Sequence, residues 1–270
     1  MAIVKRDAMM LVATGKQRVG KTYQTTKFLE QYILSNPKTG KLGRKVLIFD
    51  TNMEYTQYKS LHPNDVAKFT KQSRVEIRRI LPKNNDGTPA NIDEKIAILK
   101  VLLANFGRGL LLLEDINSYL IDASSKEIIG SICTLRHREV DVIIHYQSLS
   151  AVPPRMWQNL SLIRFHKQGD SIDRYKDRIP YEILKVAEYM VNQQYITNDI
   201  RFFCFVNPAE EYIVGSFKPE LLKAACKLYA ERNSTEVKSV QKSYKGESNS
   251  WELAVKEVTE DLFKRFSTRT

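Results

Sequence analysis

The stretch AMMLVATGKQRVGKTYQT, residues 8–25, decides the fold. An apolar run from Met9 to Ala13 stops abruptly at Gly15, and beyond Thr22 the apolar residues Phe28, Tyr32 and Ile33 recur at helical spacing. Strand, glycine loop and helix follow in that order, and the loop satisfies G-x-x-x-x-G-K-[ST] at every fixed position. Such a loop binds a triphosphate because many N–H donors must converge on the phosphates without side chains in the way. Gly15 and Gly20 let the backbone wrap the phosphates, and the helix that follows presents its positive end. The candidate nucleotide-binding residues are therefore Gly15, Lys16, Gln17, Arg18, Val19, Gly20, Lys21, Thr22 and Tyr23. In this pattern Lys21 reaches the β- and γ-phosphates as a mobile charge and the Thr22 hydroxyl ligates Mg²⁺, so ATP and magnesium are the expected ligands.

Composition bounds what surrounds this loop. A chain of 270 residues, 43% hydrophobic, can build one sizeable α/β core with a small appendage. Forty-two basic against 31 acidic residues leave a formal charge of +11. Beside a nucleotide site, that charge points to nucleic acid as the anionic partner, the alternative being a solvated basic surface. Cys133, Cys204 and Cys226 are widely spaced and form no C-x-x-C, which argues for a reducing compartment and against structural zinc. No apolar run approaches the length of a membrane span, and Met1 to Asp7 is too short for a signal peptide, so a soluble, cytoplasmic protein is expected.

Downstream, the first helix should end near Asn36-Pro37. Lys45 to Asp50 (KVLIFD) reads as a buried parallel strand, and its exit, Asp50-Thr51-Asn52-Met53-Glu54-Tyr55, lies on the edge where such sheets bind ligands. Val75 to Ile80 is a short strand, residues 84–90 a loop and Ile92 to Phe106 a helix. In Gly109 to Leu120 (GLLLLEDINSYL) four leucines precede two carboxylates, the pattern of a Walker B strand. Glu114 and Asp115 would reach the same edge as the glycine loop, one orienting the magnesium shell and the other polarising the attacking water. The usual order is Asp then Glu; its reversal leaves the roles open, with position favouring Glu114 at the metal and Asp115 as base.

Ser124 to His137 reads as a helix leading to the turn Arg136-His137-Arg138, and Val140 to Tyr146 as another buried strand. Gln147 at its exit either senses the γ-phosphate or caps the strand. Pro153-Pro154 opens a short turn or helix, Ser161 to His166 is a fifth parallel strand, and Asn207-Pro208-Ala209-Glu210 marks a hairpin. The expected organisation is an ATPase domain over 1–230, a polar linker over 231–250 and a C-terminal docking helix over 251–270. That helix carries Trp251, Ala254, Val255, Val258, Leu262 and Phe266 on one stripe, which must be buried on the chain's own sheet, on a neighbouring subunit or on a capsid protein.

GKQRVGKT, FDTNMEY, LLLLED, the RHRE turn and the strand ending HYQS together resemble the FtsK/HerA superfamily of DNA-translocating ATPases over roughly Ala8 to His166. Within it they look most like genome-packaging ATPases of tailless icosahedral phages, with Zot-like assembly ATPases of filamentous phages second. The resemblance implies an α/β P-loop NTPase of the ASCE/RecA-like kind, with a central, mostly parallel sheet flanked by helices; the long gap between the two Walker motifs leaves room for an added strand between theirs, and the C-terminal stripe adds a helical appendage. It implies an ATP-driven double-stranded DNA translocase acting as a homo-oligomeric ring, pentamer or hexamer, with capsid-vertex or membrane-associated packaging proteins as further partners. Arg136 is then the candidate arginine finger reaching a neighbour's γ-phosphate, with Arg138 and Arg155 in reserve; the plain alternative is a surface arginine at a helix end. Lys16, directly after the first glycine, resembles the MinD-type loop, where such a lysine acts across a dimer. It alone favours a nucleotide-dependent switch or partitioning protein over a motor.

Overall fold

The computed structural model describes residues 7–84, 87–120 and 124–267. Residues 1–6, two positions of the loop expected at 84–90, and 268–270 at the end of the C-terminal segment lie outside the described residues. The chain divides into two compact units: residues up to 13 with 20–147 and 151–160, and 14–19 with 148–150 and everything from 161 on. The expected boundary at 230 falls elsewhere because it would cut through a set of helices that pack on one another.

The first unit holds β1 (Met10–Thr14, its last residue on the boundary), α1 (Lys21–Tyr32), β2 (Lys45–Phe49), β3 (Lys59–Ser60), α2 (Val66–Lys71), β4 (Ile77–Ile80), α3 (Ile92–Asn105), β5 (Gly109–Leu113), α4 (Ser124–Thr134), β6 (Asp141–Tyr146) and α5 (Pro154–Trp157). Its strands lie in the order β3-β4-β2-β5-β6-β1. Thus β6 separates the strand before the glycine loop from the one that ends in Glu114, the added strand expected above. β2, β3, β4, β5 and β6 pair in parallel, with Val46 beside Leu110 and Leu111 beside Val142. Both faces of these strands are covered, which is why they read as unbroken apolar runs: Val46 to Phe49 and Leu110 to Leu113 are fully buried. Asp141 at the start of β6 accepts from the Met9 amide at 2.7 Å and the Tyr32 hydroxyl at 2.5 Å, fixing the far end of α1.

The second unit contains β7 (Leu162–His166), α6 (Tyr181–Ile196), β8 (Phe203–Asn207), β9 (Tyr212–Val214), α7 (Pro219–Arg232), α8 (Ser234–Gln241) and α9 (Ser250–Phe266). Its strands run antiparallel in the order β7-β8-β9, and the Asn207 side chain closes the hairpin by accepting from the Ala209 and Glu210 amides. α6, in a stretch that gives no motif, has nine consecutive buried residues from Ile183 to Val191. Residues 231–250, expected as a polar linker, contain α8, whose Val237 is fully buried and whose Val240 is half-buried: two apolar residues three apart give a short, otherwise polar helix a buried side. α9 packs on α7 and α8 and buries Ala254, Val255, Val258, Leu262 and Phe266, so the stripe is covered by this chain's own helices. Only Trp251 at its start stays exposed. Arg265 adds ion pairs to Glu182 at 2.7 Å and Glu211 at 3.4 Å.

Leu262 is fully buried, so Leu262→Ala should cost about 2–4 kcal/mol through lost burial and the cavity left behind. Denaturant unfolding followed by far-ultraviolet circular dichroism would measure it; a cost near zero would mean that α9 is not part of the packed unit.

Candidate nucleotide site

β5 delivers Glu114 to its exit with 4% of its surface exposed. A carboxylate buried that deeply needs partners, and it has them: Oε1 accepts the Tyr55 hydroxyl at 2.5 Å and lies 2.9 Å from Nδ1 of His145. His145 comes from β6, and its Nε2 contacts the Thr25 hydroxyl on α1 at 2.7 Å. Tyr55 is positioned by the exit of β2, where the fully buried Asp50 accepts from the amides of Glu54 and Tyr55 and pairs with Arg79 at 3.0 Å. One polar chain therefore links α1, β6, β5 and the loop after β2. Burial by itself would push the Glu114 carboxyl up, but the His145 ring, the Tyr55 hydroxyl and the Lys21 charge hold it below the usual carboxylate range. Glu114 is an anion at neutral pH.

Asp115 differs from its neighbour. It is half-buried and sits at φ 43°, ψ 49°, a left-handed conformation that costs a non-glycine residue about 1 kcal/mol or more and that clusters at functional sites. A 3₁₀ turn begins there, and the Asp115 carbonyl accepts the Ser118 amide at 2.9 Å.

At the start of α1, Gly20 adopts φ 85°, which a side chain would strain, and Lys21 and Thr22 follow, both half-exposed. The Thr22 hydroxyl donates to Glu54 Oε2 at 2.6 Å. In the second unit, Gly15 is needed for space: a Cβ there would lie 2.7 Å from Cβ of His166 and 3.2 Å from the Lys167 carbonyl. The Lys16 amide donates to that same carbonyl at 2.9 Å, and its ammonium donates to the Tyr195 hydroxyl at 2.8 Å while lying 4.3 Å from the ring centroid. Gln17 and Arg18 are exposed, Arg18 at φ 65°, Val19 is buried and Tyr23 is 46% exposed. Gln168 bonds the Thr14 hydroxyl at 3.1 Å through its buried amide.

The first unit thus brings Lys21 and Glu114 within electrostatic reach. Arg136 and Gln147 are not joined to Glu114, Asp115 or Thr22 by any hydrogen bond or ion pair among the described residues. Gln147 is exposed at the end of β6, as placed from sequence. Arg136 is exposed on the 3₁₀ turn Leu135–Arg138 after α4. Arg138 is spent on the carbonyls of Leu103 and Phe106, where it closes the end of α3, and cannot serve as a reserve finger. Arg155 is exposed and lies across Gly130, and both Arg136 and Arg155 are close enough to Cys133 to oppose the rise that burial imposes on its thiol. Within the first unit, Glu54, Tyr55 and His145 are residues to which the sequence assigned no individual role. All three stand inside the quoted FDTNMEY and HYQS strings, and nothing in periodicity or spacing says which partners they meet.

Among the described residues no cluster of three His, Cys, Asp or Glu side chains could hold a metal ion. Magnesium that arrives with a triphosphate does not need one, because it keeps its waters and takes one or two hard protein oxygens. The Thr22 hydroxyl and the Glu114 carboxylate are oxygens of that kind. Nor is any described helix long and apolar enough to cross a membrane.

The chain matches no protein-family model and no curated protein. Among solved structures it is similar to the genome packaging NTPase B204 from Sulfolobus turreted icosahedral virus 2 in complex with AMP, with 15% identity, 78% of this chain and 97% of that one covered, and a TM-score of 0.50. It is likewise similar to B204, the DNA-packaging ATPase from Sulfolobus turreted icosahedral virus, with 16% identity, coverage of 77% and 97%, and a TM-score of 0.50. The N-terminal domain of zonular occludens toxin from Neisseria meningitidis, 15% identical over 59% of this chain and 76% of that one, reaches only 0.35 and carries no argument. At such identities the likeness establishes architecture: the chain has the P-loop NTPase fold of viral genome-packaging NTPases, a mostly parallel α/β sheet with flanking helices.

Proposed function

We propose that this protein is an ATPase that drives double-stranded DNA into a viral capsid, working as a homo-oligomeric ring. The observation that carries the reading is a glycine loop ending in Lys21 and Thr22 whose lysine charge reaches a buried, ionised Glu114 held by Tyr55 and His145. The fold shared with viral packaging NTPases and the charge of +11 support it. Lys16, the residue that favours a switch, is committed to Tyr195.

The chemistry follows from the residues in place. Lys21 opposes the charge that accumulates on the β- and γ-phosphates during transfer to water, and the backbone amides around Gly20 add donors at the helix terminus. Magnesium would be held by Thr22 with Glu114 and supplies neutralisation of the phosphate oxygens. Glu114 cannot reorient, since Tyr55 and His145 fix it, which suits an electrostatic role. Asp115 is more accessible, and its carboxylate takes the proton of the attacking water. Arg136, exposed on the turn after α4, completes the charge over the γ-phosphate of the adjacent protomer.

Three outcomes test this. Lys21→Ala should lower ATP turnover by about 100-fold or more, and Asp115→Asn should still bind nucleotide with magnesium while losing turnover by a similar factor. Near wild-type hydrolysis by the Lys21 variant would remove the site altogether. Arg136→Ala and Lys21→Ala proteins, each inactive alone, should recover part of the activity when mixed, because some interfaces then pair an intact loop with an intact finger; co-assembly without recovery would place the arginine outside the shared site. Binding to duplex DNA should be nearly independent of sequence, with log K falling linearly in log salt. An affinity flat in salt would contradict recognition through phosphates.

A further inference from the structure

Glu54 has no role in the pattern of Walker residues, yet its carboxylate is the group that the Thr22 hydroxyl meets, at 2.6 Å. The loop after β2 is built to bring it there. Asp50 accepts the Glu54 amide at 2.9 Å, Met53 takes up a left-handed φ of 57°, and Tyr55 is drawn inward to Glu114. Consecutive residues thus reach the two parts of the expected magnesium site: Glu54 holds Thr22 and Tyr55 holds Glu114. Glu54 itself is exposed, within reach of solvent and of an incoming cation.

We propose that Glu54 is a positioning residue of the magnesium site: it accepts the hydrogen bond of the Thr22 hydroxyl so that the oxygen's lone pair faces the metal. The inference rests on the ATPase reading above. A hydroxyl that ligates a cation must turn its proton away from it, and a carboxylate is the acceptor best suited to hold that proton, because a charge-assisted bond is stronger and shorter than a neutral one. The contact is shorter than the roughly 3.0 Å that separates neighbouring oxygens in an octahedral magnesium shell with bonds of about 2.1 Å. Glu54 therefore acts through Thr22 and does not itself ligate. Its charge also adds to the attraction for the cation, whereas for free ATP or ADP it is repulsive.

Magnesium titrations of protein saturated with a fluorescent ADP analogue, together with nucleotide affinity in EDTA, test the proposal without reading turnover. Glu54→Gln keeps an acceptor at nearly the same place but loses the charge, and its amide can instead donate to the Thr22 oxygen. It should weaken magnesium binding by about 10-fold or more, the usual cost of losing a partner behind a metal ligand, while affinity in EDTA stays the same or rises. Glu54→Asp, which retains the charge at shorter reach, should restore part of the loss. Magnesium affinity in Glu54→Gln equal to wild type would overturn the proposal and leave the ATPase reading standing. Equal loss of nucleotide binding in EDTA by both variants would overturn it too, by showing that Glu54 merely supports the loop. A wild-type chain that binds no nucleotide at any magnesium concentration would remove both readings together.

Discussion

A carboxylate exposed over 4% of its surface, gripped by a tyrosine hydroxyl on one side and an imidazole on the other, is the constraint around which the first unit is arranged. Burying such a charge alone costs several kcal/mol, and only well-made hydrogen bonds offset it. Each partner of Glu114 is therefore fixed in turn: Tyr55 by Asp50, Asp50 by Arg79, and His145 by Thr25 on the helix that follows the glycine loop. The buried parallel strands set these residues at a common edge. The polar chain then locks their order, because a slip of one residue in β5 or β6 would turn Glu114 or His145 to the opposite face.

The second unit supplies a different kind of support. The first half of the glycine loop is held by the segment after β7, with Gly15 pressed against His166 and Lys16 bonded through its amide to Lys167. The Lys16 side chain lies on Tyr195 near the end of α6. Such a cation–π contact is worth on the order of 1 kcal/mol. The helices α6 to α9 pack on one another, and α6 also packs on β7 and β8.

Much of this was legible in the chain. The runs at Met9–Ala13, Lys45–Asp50, Leu110–Leu113 and Val140–Tyr146 gave strands because buried parallel strands leave no alternation to misread. Candidate site residues could be named wherever a motif has fixed spacing, as in Gly15 to Thr22 and the Glu114-Asp115 pair. What stayed hidden depends on contacts across strands: Tyr55 with Glu114 over 59 positions, His145 with Thr25 over 120, and Glu54 with Thr22 over 32. No local pattern reports such meetings. α8 was missed for the opposite reason, since its composition is that of a solvated linker and only Val237 and Val240 mark a buried side. The C-terminal stripe was read correctly as apolar, but a sequence cannot say which surface covers it, and α7 and α8 do.

The account's central claim is that hydrolysis at this site is coupled to duplex DNA in an assembled ring. The most direct test is the steady-state ATPase rate with and without double-stranded DNA at low salt, measured on protein whose solution mass is determined in the same buffer. A mass several times that of one chain, together with turnover that rises severalfold on adding duplex DNA, is the predicted result. A monomer whose hydrolysis is indifferent to DNA would contradict it.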